Sequence, residues 1–331
     1  MPTRKGFLTS ILQLIRLPNV FTAPSDVAMG MAVSGAALAS SHAVLLLASA
    51  CAYAGGMALN DACDARLDAR ERPERPIPSG RISRPFAFGV AAVLLGLSVG
   101  LAATSGLRPF VAALLLVGAI VLYDAVAKGT AAGPPVMASC RALNVGVGIA
   151  LGALAWSAVG AAAIVFAYVL VLTVVSRFEV MAAPVTLVRG ATAAFAVLLA
   201  AAVALFVLGW GARGAVGVVF LALLVLWIWP PLRAAIAEPA PRRIIGVIKA
   251  TVLGIILVDA AFTWLRATFV CSMARCVYGE RRMLATSFSP RLARSWYDLI
   301  QSLRWPCANS TALPESSLPF SRRSCPAPSG A

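Results

Sequence analysis

The segment Asn60-Asp61-Ala62-Cys63-Asp64-Ala65-Arg66-Leu67-Asp68 places an amide and three carboxylates side by side, directly after an apolar run. On a helix, Asp64 falls about 60° from Asp61, and Asp68 and Arg72 each fall about 20° from it. The four side chains then share one face if the helix continues to Pro73. Carboxylates this close repel one another unless cations sit among them. Their oxygens suit hard ions, and Mg²⁺ is ordinarily held by one or two carboxylates together with substrate phosphates. A solvated, self-neutralising loop would also mix acids with Arg66, Arg70, Arg72 and Arg75. The pattern Asn-Asp-x-x-Asp-x-x-x-Asp at a membrane edge, followed by Arg75-Pro76-Ile77-Pro78-Ser79-Gly80, is far more specific than a charge run. It reads as a site for a diphosphate and a divalent metal at the end of a membrane-spanning helix.

The elements that must position this site are membrane helices. The chain has 331 residues, 60% hydrophobic and only 12% charged, where a soluble domain carries about 25% charged residues. Apolar runs of roughly 17–25 residues, each long enough to cross a bilayer, recur almost to the end. They lack the alternation of a membrane barrel. Nine spanning segments are predicted, over 12–39, 43–60, 85–104, 109–126, 141–157, 159–176, 190–210, 213–230 and 244–264. The fold class is therefore an all-α polytopic membrane protein with nine transmembrane helices. Pro18 and Pro24 are expected to bend or delay the first segment. Abundant alanine, with Gly146, Gly148 and Gly152, predicts closely approaching helices.

The net charge of +15 does not point to nucleic acid, because the basic residues lie mainly in the breaks between apolar runs. With a cytoplasmic N-terminus, one side collects Arg4, Lys5 and Arg16, then Arg66 to Arg84, Lys128, Arg141, Arg177, Arg189 and Arg233 to Lys249. The short loops opposite hold only Arg108 and Arg213. That asymmetry is the positive-inside pattern. The N-terminus shows no small-residue cleavage site and is read as retained. Cys51, Cys63 and Cys140 read as small core residues. Cys271 and Cys276 lack a nearby histidine, which argues against zinc. His42 is the single histidine, so a histidine-dependent triad is disfavoured. The composition changes near residue 266, which predicts a membrane domain over 1–266 and a poorly ordered basic tail rich in Ser, Pro and Cys over 267–331.

The motif Asn60-Asp61-x-x-Asp64-x-x-x-Asp68, with Arg75-Pro76 and Gly80, resembles the first aspartate-rich motif of the UbiA superfamily of intramembrane prenyltransferases. The likeness covers about 16–264. It implies that Asn60, Asp61, Asp64 and Asp68 hold Mg²⁺ and, through it, a prenyl diphosphate. Tyr123-Asp124-Ala125-Val126-Ala127-Lys128 is similar to the family's Tyr-x-x-x-x-Lys, whose lysine contacts the diphosphate, a role suited to a mobile point charge. Tyr123, Arg72, Arg141 with Asn144, and Arg16 with Asn19 are expected as further substrate-binding residues. The family's second aspartate-rich motif corresponds to Ser176-Arg177-Phe178-Glu179, which keeps one acid, Glu179, as a metal ligand beside Arg177. In combination, these stretches look like the EboC-like branch, which implies a bacterial inner-membrane protein with its polar loops in the cytoplasm.

The implied activity is Mg²⁺-dependent transfer of a prenyl group from a prenyl diphosphate to an aromatic or lipid acceptor within the membrane. The expected partners are those substrates and membrane lipids, with no nucleic acid. A non-catalytic carrier of the same lipid diphosphate is the competing reading, favoured by the lone acid at Glu179. A transporter with a charged gate is less well supported, since Asp259 is the one deep acid of the last helix and no inverted repeat is evident.

Overall fold

The computed structural model describes residues 4–36, 42–178, 184–210 and 214–284. The chain divides into two units, Met1–Ser272 and Met273–Ala331, and the helical bundle that carries the site lies in the first. Its elements are α1 (Arg4–Leu14), α2 (Leu17–Val20), α3 (Thr22–Val33), α4 (Ala43–Glu71), α5 (Arg84–Ala103), α6 (Leu107–Leu122), a π-helical turn (Tyr123–Ala127), α7 (Gly133–Ile149), α8 (Trp156–Ser176), α9 (Val185–Trp210), α10 (Ala215–Ala237) and α11 (Pro241–Leu284). Among the described residues every element is helical. The protein is an all-α polytopic membrane protein, with nine apolar helices from α3 to α11. Seven candidate spans, on α4, α5, α6, α8, α9, α10 and α11, are long and apolar enough to cross a bilayer. The other two helices are shorter, α3 with 12 residues and α7 with 17. The tail expected over 267–331 lies outside the described residues from 285 onward.

Two predicted segments need correction. The first, 12–39, is broken into α1, α2 and α3. Pro18 and Pro24 sit in the first turns of α2 and α3, where a missing N–H costs nothing, so they start helices instead of bending one. The fifth, 141–157, lies instead over Gly133–Ile149. Pro134 and Pro135 open it, and Arg141 stands inside it, satisfied by a buried partner. Trp156 opens the next helix.

Helix α4 positions the acid-rich segment by length. Its 29 residues span about 44 Å, against a hydrocarbon core of about 30 Å. The excess carries Asn60 to Glu71 past the apolar layer without a break in the helix. The helix stops where Pro73 forbids the preceding residue an α conformation. Arg72 turns out at φ −145°, ψ 62°, and its N–H donates to the Asp68 carbonyl at 2.8 Å. The chain then doubles back. Gly80 takes φ +73°, a conformation side chains disfavour, and the Ile82 N–H donates to the Pro76 carbonyl at 3.0 Å. Ser83 caps α5 by accepting from the Phe86 N–H at 3.3 Å, and the Arg84 Nε donates to the Ala62 carbonyl at 2.8 Å. The loop is thereby bound to α4.

The core is built from small residues at helix crossings. Helices α3 and α7 meet backbone to backbone. A Cβ at Gly148 would lie 2.1 Å from the Val27 carbonyl oxygen, and one at Gly30 would lie 2.1 Å from that of Val145. Close approach of this kind is how membrane helices gain packing contact without a hydrophobic driving force. Gly148→Ala is therefore expected to lower the thermal midpoint of the detergent-solubilised protein, at a cost of about 1–3 kcal/mol. Gly146→Ala, with open space at its Cβ, should leave the midpoint unchanged.

Candidate functional site

Three carboxylates and three cations converge at the end of α4. Asp61 and Asp68 are each 4% exposed, and Asp64 is partly buried beside them. Each carboxylate faces a cation from another part of the chain. The Arg16 Nη2 donates to Asp61 Oδ1 at 3.2 Å. The Arg75 Nη1 donates to Asp68 Oδ2 at 2.7 Å and reaches Asp61 Oδ1 at 3.5 Å. Lys128 Nζ donates to Asp64 Oδ2. This is how a protein keeps a buried knot of like charges folded: it surrounds them with counter-charges.

Arg16 adopts φ 50°, ψ 51°, the left-handed region that costs a residue with a side chain about 1–2 kcal/mol. Strained backbone of this kind persists where the surroundings hold it and clusters at ligand clamps. Asn19 follows one turn on; its N–H donates to the Arg16 carbonyl at 2.9 Å and its own carbonyl accepts from Thr22 Oγ1 at 2.8 Å.

The π-helical turn brings Lys128 to the acids. The Lys128 N–H donates to the Tyr123 carbonyl at 2.9 Å, five residues back. On a regular α-helix two such residues would stand about 140° apart; a π turn is wider and often marks functional sites. Within the same turn Asp124 accepts from Asn60 Nδ2 at 2.7 Å, which ties the turn to α4 a helical turn before Asp64.

Behind this layer lies a cleft of about 590 Å³. Asn60, Tyr123, Asp124, Arg141 and Asn144 supply its polar lining, while Ala52, Met57, Leu116, Ile120 and Met137 supply apolar wall. Arg141 Nη1 donates to Asp26 Oδ2 at 2.8 Å and its Nη2 to Thr22 Oγ1 at 2.9 Å. Asn144 Nδ2 donates to Asp26 Oδ2 at 2.9 Å, and Asn144 Oδ1 accepts from Ser49 Oγ at 2.8 Å. A second, largely apolar cleft of about 820 Å³ opens between α8, α9, α10 and α11, walled by Ile164, Phe195, Leu224 and Val258 among others.

The sequence-predicted residues thus fall into three groups. Asn60, Tyr123, Arg141 and Asn144 line the cleft; Asp61, Asp64, Asp68, Lys128 and Arg16 form the charged layer beside it; Asn19 lies on α2, one turn after Arg16. Arg72 stands at the C-terminal cap of α4, just past its last helical residue. Arg75, on the loop that follows, adds a cation at Asp68 and Asp61. Arg177 donates to the Thr130 carbonyl, so it braces the loop between the π turn and α7. Glu179 lies outside the described residues. Arg75, Asp124 and Asp26 were not assigned roles from sequence. The signal available for Asp26 was an acid inside an apolar run, which marks a functional position by default.

The donor set fits Mg²⁺ in one respect and limits it in another. Carboxylate and amide oxygens of Asn60, Asp61, Asp64 and Asp68 are the hard ligands this ion prefers. Among the described residues, however, no three acid, cysteine or histidine side chains converge as a ready cage. The fit is to a metal that arrives with phosphate oxygens of its own. Arg75→Ala is accordingly expected to tighten binding of Mg²⁺ alone, measured calorimetrically, because it releases Asp68 and part of Asp61 from a competing cation.

Comparison with known proteins gives a consistent picture. The UbiA prenyltransferase family profile matches residues 21–243. Digeranylgeranylglyceryl phosphate synthase of Methanopyrus kandleri is 40% identical over 95 residues, covering 28% of this chain and 35% of the relative. The enzyme of the same name from Methanothrix thermoacetophila is 41% identical over 125 residues, covering 36% and 46%. The chain therefore matches less than half the length of these curated relatives. Among solved structures, a UbiA homolog from Archaeoglobus fulgidus bound to DMAPP and Mg²⁺ superposes with a TM-score of 0.58 at 17% identity, covering 78% of this chain and 99% of that one. The apo UbiA homolog from Aeropyrum pernix K1 gives 0.57 at 20% identity, covering 74% and 96%. These structures share the fold. The matches carry the family and do not single out the EboC-like branch.

Proposed function

The chain belongs to the UbiA prenyltransferase family, and from that premise we propose that it transfers a prenyl group from a prenyl diphosphate to an aromatic or lipid acceptor inside the membrane. The observation that carries the proposal is the charged layer at the end of α4, where Asp61, Asp64 and Asp68 are each matched to Arg16, Arg75 or Lys128 beside a half-polar, half-apolar cleft. That arrangement offers both signs of charge to one ligand. Lys128, Arg16 and Arg75 are available to an incoming diphosphate once it competes for them, and charge-assisted contacts of this type are the strong ones. Asn60, Asp61, Asp64 and Asp68 would hold Mg²⁺ together with the diphosphate, and the ion would supply Lewis-acid stabilisation of the leaving group.

The chain's own residues do the rest. The polar lining holds the diphosphate, and Leu116, Ile120 and Met137 give its hydrocarbon tail an apolar wall. The allylic C–O bond breaks with both electrons leaving on pyrophosphate, and the carbon accepts a pair from the acceptor, which then gives up a proton. Lys128 and the arginines stabilise charge as it develops on the leaving oxygens, in a site where exclusion of water makes such contacts stronger. The charge asymmetry of the loops supports a cytoplasmic N-terminus and a site on the cytoplasmic face of the membrane.

The test is to offer the purified protein geranyl, farnesyl and longer prenyl diphosphates with candidate acceptors and Mg²⁺, and to follow pyrophosphate. Release that stops on chelation with EDTA and resumes on adding Mg²⁺ is the expected result. Tight, Mg²⁺-dependent binding with no release from any donor would instead identify a carrier.

A further inference from the structure

A second group of acids lies apart from the charged layer. Asp26 on α3 is 0% exposed and Asp259 on α11 is 1% exposed. Asp26 Oδ2 accepts from Arg141 Nη1 and Asn144 Nδ2. Asp259 Oδ2 accepts from the Ser25 hydroxyl. Ser25 immediately precedes Asp26 on α3, so its hydrogen bond brings the Asp259 carboxyl beside that of Asp26, and each carboxyl feels the other's charge. The remaining oxygen of each, Asp26 Oδ1 and Asp259 Oδ1, is buried with no other donor among the described residues.

Two ionised carboxylates have no hydrogen to share, and a buried acceptor without a donor carries the full desolvation penalty. A single proton shared by the two carboxyl groups, held between the unsatisfied oxygens, would remove both deficits together. It also balances charge, since Arg141 then faces a single negative group instead of two in an apolar interior, where an uncompensated ion is very costly. Tyr168 on α8 donates to the Thr251 carbonyl at 2.9 Å, so it does not fill the role.

We propose that Asp26 and Asp259 form a proton-sharing carboxyl pair, with Asp26 the ionised partner of Arg141 and Asp259 the neutral acid. The assignment follows from their other partners: a guanidinium and an amide N–H favour the anion on Asp26, while a neutral hydroxyl serves Asp259. The pair joins α3, α7 and α11. It fixes Arg141 and Asn144, both of which line the 590 Å³ cleft. Asp26 is therefore a positioning residue for the cleft's polar wall. The inference does not depend on prenyl transfer.

The experiment is infrared spectroscopy of the full chain in lipid nanodiscs, combined with thermal unfolding. The wild-type protein should show the carbonyl stretch of a protonated carboxylic acid, shifting in D₂O and lost in Asp259→Asn. That variant should keep a near-wild-type midpoint, because an amide still donates to Asp26 and still accepts from Ser25. Asp259→Leu and Asp26→Asn should both lower the midpoint, the first by orphaning Asp26 Oδ1 and the second by removing the counter-charge of Arg141. A wild-type spectrum without the acid band overturns the proposal. So does the reverse tolerance, with Asp26→Asn stable and Asp259→Asn not. Stabilisation by Na⁺ but not by choline would overturn it in favour of a bound cation.

Discussion

Alanine at Asp64 is expected to lower pyrophosphate release by roughly 10²–10³-fold, the loss typical of removing one preorganised electrostatic contact to a developing charge. Three features single out this residue. It shares a helix face with Asp61 and Asp68, it is more exposed than either, and its counter-ion is the flexible Lys128. Of the three acids it is the one most easily released to a ligand. Asp64→Asn should be as damaging as Asp64→Ala, because the contribution lies in charge and not in volume. Both variants should unfold near the wild-type midpoint, since Asp64 stands in the part of α4 that projects past the apolar layer. Steady-state release assays beside unfolding scans separate the two effects. Release at the wild-type rate from Asp64→Ala would end the assignment of this acid to the site.

Truncating Lys128 gives the second large effect, and it falls on donor binding. Hydrogen bonds to charged groups contribute about 1.5–3 kcal/mol, and each 1.4 kcal/mol is tenfold. Lys128→Ala should therefore raise KM for the prenyl diphosphate by roughly 10–100-fold. The same change should tighten the binding of Mg²⁺ alone, because Asp64 loses its internal cation. A weaker donor with a tighter metal is the signature of a lysine shared between acid and diphosphate. A lysine that served only as a membrane-surface anchor would move neither quantity, and isothermal titration with each ligand distinguishes the two roles.

Much of this was legible in the residues. The acid spacing predicted one helix face, and α4 runs unbroken through Glu71 with the three carboxylates in one charged layer. The likeness of Tyr123 to Lys128 to a family motif predicted a lysine near the acids, and Lys128 meets Asp64. What could not be read depends on where helices stop and on what a buried charge faces. Angular projection carried the helix on through Arg72, but it ends before Pro73, and the returning loop brings Arg75 to Asp68 as well. Arg141 reads from sequence as the start of the fifth segment, which displaced that segment; its partner, Asp26, lies more than a hundred residues away. The Ser25–Asp259 hydrogen bond joins α3 to the last helix, and no local pattern reports it.

The π-helical turn at Tyr123–Ala127 has a consequence for insertions and deletions. Such a turn accommodates one residue more than a regular one, so this stretch already holds the extra residue that a helix can absorb. Deleting Ala125, whose side chain is exposed, would let the turn relax to ordinary geometry with the lysine four residues after Tyr123, about 40° from it and close to its present place. Inserting a further residue has no such outlet: it would swing the ammonium group by about 100°, away from its acid, although every functional side chain was still present. At this corner of the bundle, length is as much a part of the site as chemistry.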